Sequence, residues 1–202
     1  RSRVHFAACQ EAGREDWGNL EYLMDTAFQA GLNVSELSME NIGWNGTAFV
    51  DLHQQEIQHL FKLYPWEWIW EENFSQFLTP ETEWIEPCWK MLLSNKALLI
   101  ELWKRFPNHP LLLETHAYDA HAHYAGKWVR KPILAREGAN IHILQNNVDC
   151  GAASGSFYFD DYDKYGYVMQ RWVKTPLHEG MLPTLGLWMV GDECAGMSLR
   201  ED

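Results

Sequence analysis

The chain opens on a short apolar run, Val4-His5-Phe6-Ala7-Ala8-Cys9, which predicts a buried strand. From about Trp17 to Ala30 the spacing becomes helical, with Leu20, Leu23, Met24, Ala27 and Phe28 on one face and Gly31 as the C-terminal stop. Val34-Ser35-Glu36-Leu37-Ser38-Met39 alternates as a strand. Trp44-Asn45-Gly46-Thr47 then supplies a turn into Ala48-Phe49-Val50-Asp51, with Asn-Gly as the hairpin signal. Strand, helix, strand and hairpin in that order predict the start of an α/β layer.

Gln55 to Phe74 is aromatic and predicted helical around a break at Pro65. Trp66, Trp68 and Trp70 read as a packing cluster, and Glu67, Glu71 and Glu72 as its solvated side. A second long helix is predicted from Pro87 to Phe106, stopped by Pro107, with Leu92, Leu93, Leu98, Leu99, Leu102 and Trp103 as its stripe. The remainder alternates as strands at Trp128–Ile133, Ala139–Leu144, Gly166–Val173 and Leu185–Val190. Gly151 to Ser156 reads as a loop of small residues, and Gly191-Asp192-Glu193 as a hairpin turn. The second half is therefore of α+β type.

Composition narrows the function. The 202 residues include eleven tryptophans and carry a net charge of −12, which argues against nonspecific binding of nucleic acid. A cationic partner suits that charge, as it suits many acidic proteins. Cys9, Cys88, Cys150 and Cys194 are scattered, so free thiols and a cytoplasmic setting are expected. No apolar run approaches a membrane span. Arg1 and Asp202 do not read as natural termini, so the sequence is expected to be part of a longer polypeptide.

Lysine is the most informative residue type. Lys131 lies in an apolar strand between Val129 and Ile133, where a charge needs a reason, and a phosphate is one. Lys96, in the predicted helix, is by itself a surface residue. Arg136-Glu137-Gly138-Ala139-Asn140 suits either a hairpin turn or a loop folding over phosphates, whose oxygens small-residue backbone can approach. Met169, Gln170 and Trp172 suit either an edge strand or an adenine-binding segment. Arg200 suits either an ion pair with Glu201 or Asp202 or the stabilisation of a transferring phosphoryl group. His116, Asp119, His121 and His123 form a rival set for a divalent metal, without the spacing of a known zinc motif.

Three longer stretches resemble signatures of the glutathionylspermidine synthase family. They are Trp84-Ile85-Glu86-Pro87-Cys88-Trp89-Lys90-Met91-Leu92-Leu93-Ser94-Asn95-Lys96, Val129-Arg130-Lys131-Pro132-Ile133-Leu134-Ala135-Arg136-Glu137-Gly138-Ala139-Asn140, and Gly196-Met197-Ser198-Leu199-Arg200-Glu201-Asp202. The resemblance implies an α+β, ATP-grasp fold, with a pre-ATP-grasp α/β region over 1–75 and a nucleotide-binding region over 76–202. It implies ATP-dependent ligation of a glutathione-like acid to a polyamine-like amine through an acyl phosphate. On that mapping Lys96 and Lys131 hold the ATP phosphates, and Glu137, Gly138 and Ala139 cover them. Gln170, Arg171 and Trp172 line the adenine, and Arg200 is the catalytic cation. Glu15 and Asp16 fall near the family's acidic substrate contacts. The family's Mg²⁺ carboxylates come from a segment preceding the matched region, so no metal ligand is assigned here and residues 1–202 are expected to be inactive alone. An idle nucleotide-binding regulatory module and a His/Asp metal-dependent hydrolase are the alternatives.

Overall fold

The computed structural model describes residues 3–10, 13–78, 81–153 and 160–201. Contacts divide the chain into two compact units, Arg1–Asn95 and Lys96–Asp202. In the first, β1 (Arg3–Ala8), α1 (Arg14–Gln29) and β2 (Asn33–Ser38) form a parallel crossover. A small hairpin, β3 (Gly43–Trp44) and β4 (Phe49–Val50), precedes β5 (His59–Leu63), the short helix α2 (Trp66–Ile69) and β6 (Glu83–Ile85). The sheet order is β2-β1-β5-β6, with every pairing parallel.

Alternation in β1 separates two cores. Phe6 and Ala8 face α1, where Leu20 is fully buried with Trp17, Leu23, Met24 and Ala27 around it. Phe28, placed on that face by its spacing, lies at the stripe's margin and is 64% exposed. Ala7 faces the other way, with Leu37, Ile42, Phe49, Ile57 and Leu60. The stop at Gly31 forms through two paired bonds: Gly31 N–H donates to Phe28 O (2.8 Å) and Leu32 N–H to Ala27 O (3.1 Å). Gly31 at φ 84° permits this left-handed closure.

Two helical expectations are corrected. Residues 59–63, inside the stretch read as helix, are the strand β5, because Leu60 and Lys62 alternate inward and pair beside β1. The break in hydrophobic pattern is Lys62, whose Nζ donates to Tyr64 O (2.8 Å) and lies over the Trp66 ring (4.1 Å). The long helix from Pro87 is also interrupted. Cys88–Leu92 is a 3₁₀ turn, and the α-helix, α3, runs over Leu98–Arg105. Leu92 and Leu93 are accordingly exposed. Contacts divide the chain after Asn95, whereas the sequence reading divides it after Ser75; β6 lies between these points and pairs with β5.

The second unit continues through β7 (Thr115–Ala117), β8 (Lys127–Pro132), β9 (His142–Gln145), β10 (Val148–Ala152) and β11 (Tyr167–Arg171). They form one antiparallel sheet ordered β10-β9-β8-β11-β7. Its ends differ from expectation. Ala139 and Asn140 belong to a turn rather than to β9, and the first residues of the expected small-residue loop, Gly151 and Ala152, are strand. The rest of that loop, from 154 to 156, lies outside the described residues. One face of the sheet buries Trp128, Leu144 and Met169 with Tyr124. A separate hairpin, β12 (Pro183–Val190) and β13 (Glu193–Glu201), turns at Gly191-Asp192 as expected.

Candidate functional site

On β8 and β11, Lys131 lies opposite Val168 and Val129 opposite Gln170, so both polar side chains share one face. Thr115 of β7 lies opposite Gln170 on that face. The half-buried Lys131 donates from Nζ to Gln170 Oε1 at 2.7 Å. Gln170 Nε2 donates to Thr115 Oγ1 at 3.2 Å, and Thr115 Oγ1 donates to Leu113 O at 2.9 Å. Burial lowers the pKa of Lys131 below its ordinary value. Among the described residues no carboxylate pairs with this amine.

Lys96 is not in a helix interior. It precedes α3, its N–H donates to Ile133 O (3.0 Å), and its Nζ donates to Ala135 O (2.7 Å). The break at Ser94-Asn95 thus fastens the lysine to the chain that leaves β8. That chain turns through Glu137 (φ 52°), Gly138 (φ 76°) and Asn140 (φ 53°). Ala139 N–H donates to Arg136 O (2.9 Å), Ala139 and Asn140 are buried, and Asn140 Nδ2 donates to Asp163 Oδ1 (2.7 Å). Among the described residues a Cβ added at Gly138 would meet no atom within 4 Å. The turn is anchored through Ala139 and Asn140.

Arg171 and Trp172 are used differently. Arg171 projects to the opposite face, where Nη2 and Nε donate to Glu114 Oε2 at 2.8 and 3.1 Å. Its guanidinium lies 4.1 Å from the Trp128 ring centroid. Burial alone would raise the Glu114 carboxyl, but hydrogen bonds from His116 and Arg171 and the Arg171 charge hold it below its usual value. The backbone N–H of Arg171 donates to Glu114 O (2.8 Å) and that of Trp172 to Lys127 O (3.1 Å). Lys127 Nζ lies 3.9 Å from the Trp172 ring centroid. Both residues therefore tie β11 to its neighbours.

The other sequence-derived residues lie on other elements. Arg200 is exposed on β13, opposite Thr184. Glu15 and Asp16 lie in the first turn of α1, in the other unit, where carboxylates favour a helix start. His116 is bonded to Glu114 (3.1 Å), and Asp119 Oδ1 accepts from His121 N–H (2.8 Å). Among the described residues no group of three His, Cys, Asp or Glu side chains is placed to hold a metal ion. The cationic and small-residue groups among the described residues are donors suited to a polyphosphate. Sequence reasoning missed Thr115 and Glu114, because β7 is three residues long and carries no alternation longer than Thr-His-Ala. The aromatic cluster was legible only in part: Trp66 is buried and lines a cavity of about 530 Å³ with Trp70 and Trp84, but Trp68 and Trp70 are exposed and Glu67, expected on the solvated side, is buried.

Similar folds occur in solved structures. The RimK domain protein ATP-grasp from Sphaerobacter thermophilus superposes with a TM-score of 0.59 at 11% identity, covering 97% of this chain and 72% of that one. D-cycloserine synthetase DcsG gives 0.58 at 15% identity, over 97% and 67%. The fold is that of the ATP-grasp proteins, in α+β form. Residues 1–202 match the family described as glutathionylspermidine synthase preATP-grasp, and the chain belongs to that family. A Haemophilus influenzae protein provisionally named an acid–amine ligase is 49% identical over the whole chain, which covers 53% of that relative. Trypanothione synthetase of Crithidia fasciculata and the bifunctional glutathionylspermidine synthetase/amidase of Escherichia coli are each 24% identical. Of those, 99% and 100% of this chain cover 34% and 36%. The chain therefore spans about half the length of the first relative and about a third of the other two.

Proposed function

We propose that this chain is the nucleotide-binding part of an ATP-dependent acid–amine ligase. The observation that supports it best is Lys131, a half-buried amine held by a neutral amide oxygen. Such a cation is oriented without being neutralised, which suits an incoming polyanion. Lys96 is fastened just beyond Lys131, to Ile133 O and Ala135 O of the chain leaving β8, and the turn Glu137–Ala139 follows directly. Bound ATP would supply the activation of a carboxylate for attack by an amine. The chain's part is to hold the phosphates with Lys96 and Lys131, close over them with the turn, and border the adenine with Gln170 to Trp172. Arg200 is assigned to the transferring group, and Glu15 and Asp16 to the substrates.

The acid is proposed to be glutathione-like and the amine polyamine-like, by analogy with the synthetases named above. Residues 1–202 are proposed not to ligate alone, since the described residues hold no cluster for the divalent cation. That same observation favours, as a second reading, a module that binds nucleotide without chemistry. Calorimetric titration of ATP with magnesium into the chain and into Lys131→Ala tests the site. Binding lost on substitution supports it; equal binding removes Lys131 from it. ATP-dependent amide formation by residues 1–202 would overturn the expectation of inactivity.

A further inference from the structure

We propose that Thr115 is a positioning residue for Lys131, acting through the side-chain amide of Gln170; its value for function rests on Lys131 being a phosphate-binding lysine. Thr115 sits on the edge strand β7, fully buried, and its hydroxyl has one hydrogen. That hydrogen goes to Leu113 O at 2.9 Å. Toward Gln170 the hydroxyl can therefore only accept.

The consequence passes across the sheet. The two ends of a glutamine amide are alike in size and opposite in hydrogen bonding. Since Thr115 offers an acceptor, the end that faces it must be Nε2, at 3.2 Å. Oε1 is then the end turned to Lys131 Nζ, at 2.7 Å. A reversed amide would press an NH₂ group against an ammonium and a carbonyl against the lone pairs of the hydroxyl. One buried hydroxyl thus decides whether the lysine meets an acceptor or a donor. The neighbouring positions on that face, Val129 and Val168, are apolar. A carboxylate in place of Gln170 would hold the amine more strongly but would cancel the charge that a polyanion needs.

The tests use the full chain. Thr115→Val keeps the shape of the side chain and removes the hydroxyl, while Thr115→Ser keeps the hydroxyl. The titration of Lys131 is followed by NMR of its Cε and Nζ without nucleotide, with the resonance assigned through Lys131→Ala. Thr115→Val is expected to move the Lys131 titration to lower pH, because the charged form loses its acceptor, and Thr115→Ser is expected to match the wild type. In a Gln170→Leu background Thr115→Val is expected to add no shift, since the relay is already cut. An unshifted Lys131 in Thr115→Val, or the same shift with and without Gln170, overturns the proposal.

A measurement on the unmutated protein guards against a Thr115→Val chain that does not fold. The Gln170 amide protons should show proximity to Thr115 and not to the Lys131 Cε protons; the reverse pattern overturns the proposal. Binding of ATP with magnesium is expected to weaken about tenfold in Thr115→Val, on the scale of one hydrogen bond to a charged group, and to stay near wild type in Thr115→Ser. If Lys131→Ala binds ATP as well as the wild type, the nucleotide reading fails, while the lysine titration still decides the role of Thr115.

Discussion

Burial of Lys131 lowers its pKa from the ordinary 10.5, and two opposite pH effects follow. The folded state gives up this proton before the unfolded state does. Its unfavourable contribution to stability is therefore complete below the folded pKa and fades as pH rises toward the unfolded one. Anion binding runs the other way, since it needs the charged form. Affinity for ATP is expected to fall at a pH below that of an ordinary lysine, and Lys131→Arg, which cannot deprotonate, should abolish that fall in calorimetry across the alkaline range. His5 provides a second case, in the other unit. Among the described residues neither ring nitrogen of this buried side chain has a hydrogen-bond partner, and burial lowers its pKa from 6.5 although Asp51, 3.8 Å away, opposes this. The unfolded chain takes up the proton first, so stability is lost as pH falls from about 6.5 through the folded value. Urea unfolding at about pH 7.5 and about pH 5.5 should show this loss in the wild type and a smaller one in His5→Phe.

Elements were legible where one period ran unbroken, as in α1 with its stop at Gly31. They were lost where a single residue disturbed it. Lys62 hid β5, because an inward lysine that finds Tyr64 O and the Trp66 face looks, in sequence, like a surface position. Leu92 and Leu93 extended the apparent helix toward Pro87, although they are exposed and the chain breaks at Ser94-Asn95 to anchor Lys96. β10 was missed although Asn146-Asn147, at φ 49° and 68°, are the two-residue turn that joins it to β9. In the candidate site, Lys131 and Gln170 could be picked by residue type, but their shared face and the third member, Thr115, needed the pairing of β7 with β11. The hidden strand is a strong test of the fold. Leu60 of β5 is fully buried between β1 and β6, so Leu60→Ala should cost about 2–5 kcal/mol in urea unfolding. A loss within the range of surface substitutions would count against a central β5.

At the scale of the whole molecule, the two units bury their cores separately, and no described helix is long and apolar enough to cross a membrane. The hairpin of β12 and β13 differs from both sheets. Its backbone bonds run between its own two strands, and Leu185, Leu187, Trp188, Val190, Met197 and Leu199 are all more than half exposed. Amide exchange should therefore be fastest there and slowest in β8 and β11, which lie inside their sheet. Seen as a colloid, the protein combines a short-range attractive strip with a net charge of −12. At low salt that charge holds molecules apart over a Debye length of about 10 Å or more; added salt shortens this reach and leaves the apolar attraction in place. The second virial coefficient should accordingly change sign, from repulsive to attractive, as sodium chloride is raised. Leu187→Lys and Leu199→Glu, on the ribbon alone, should move that crossing to higher salt.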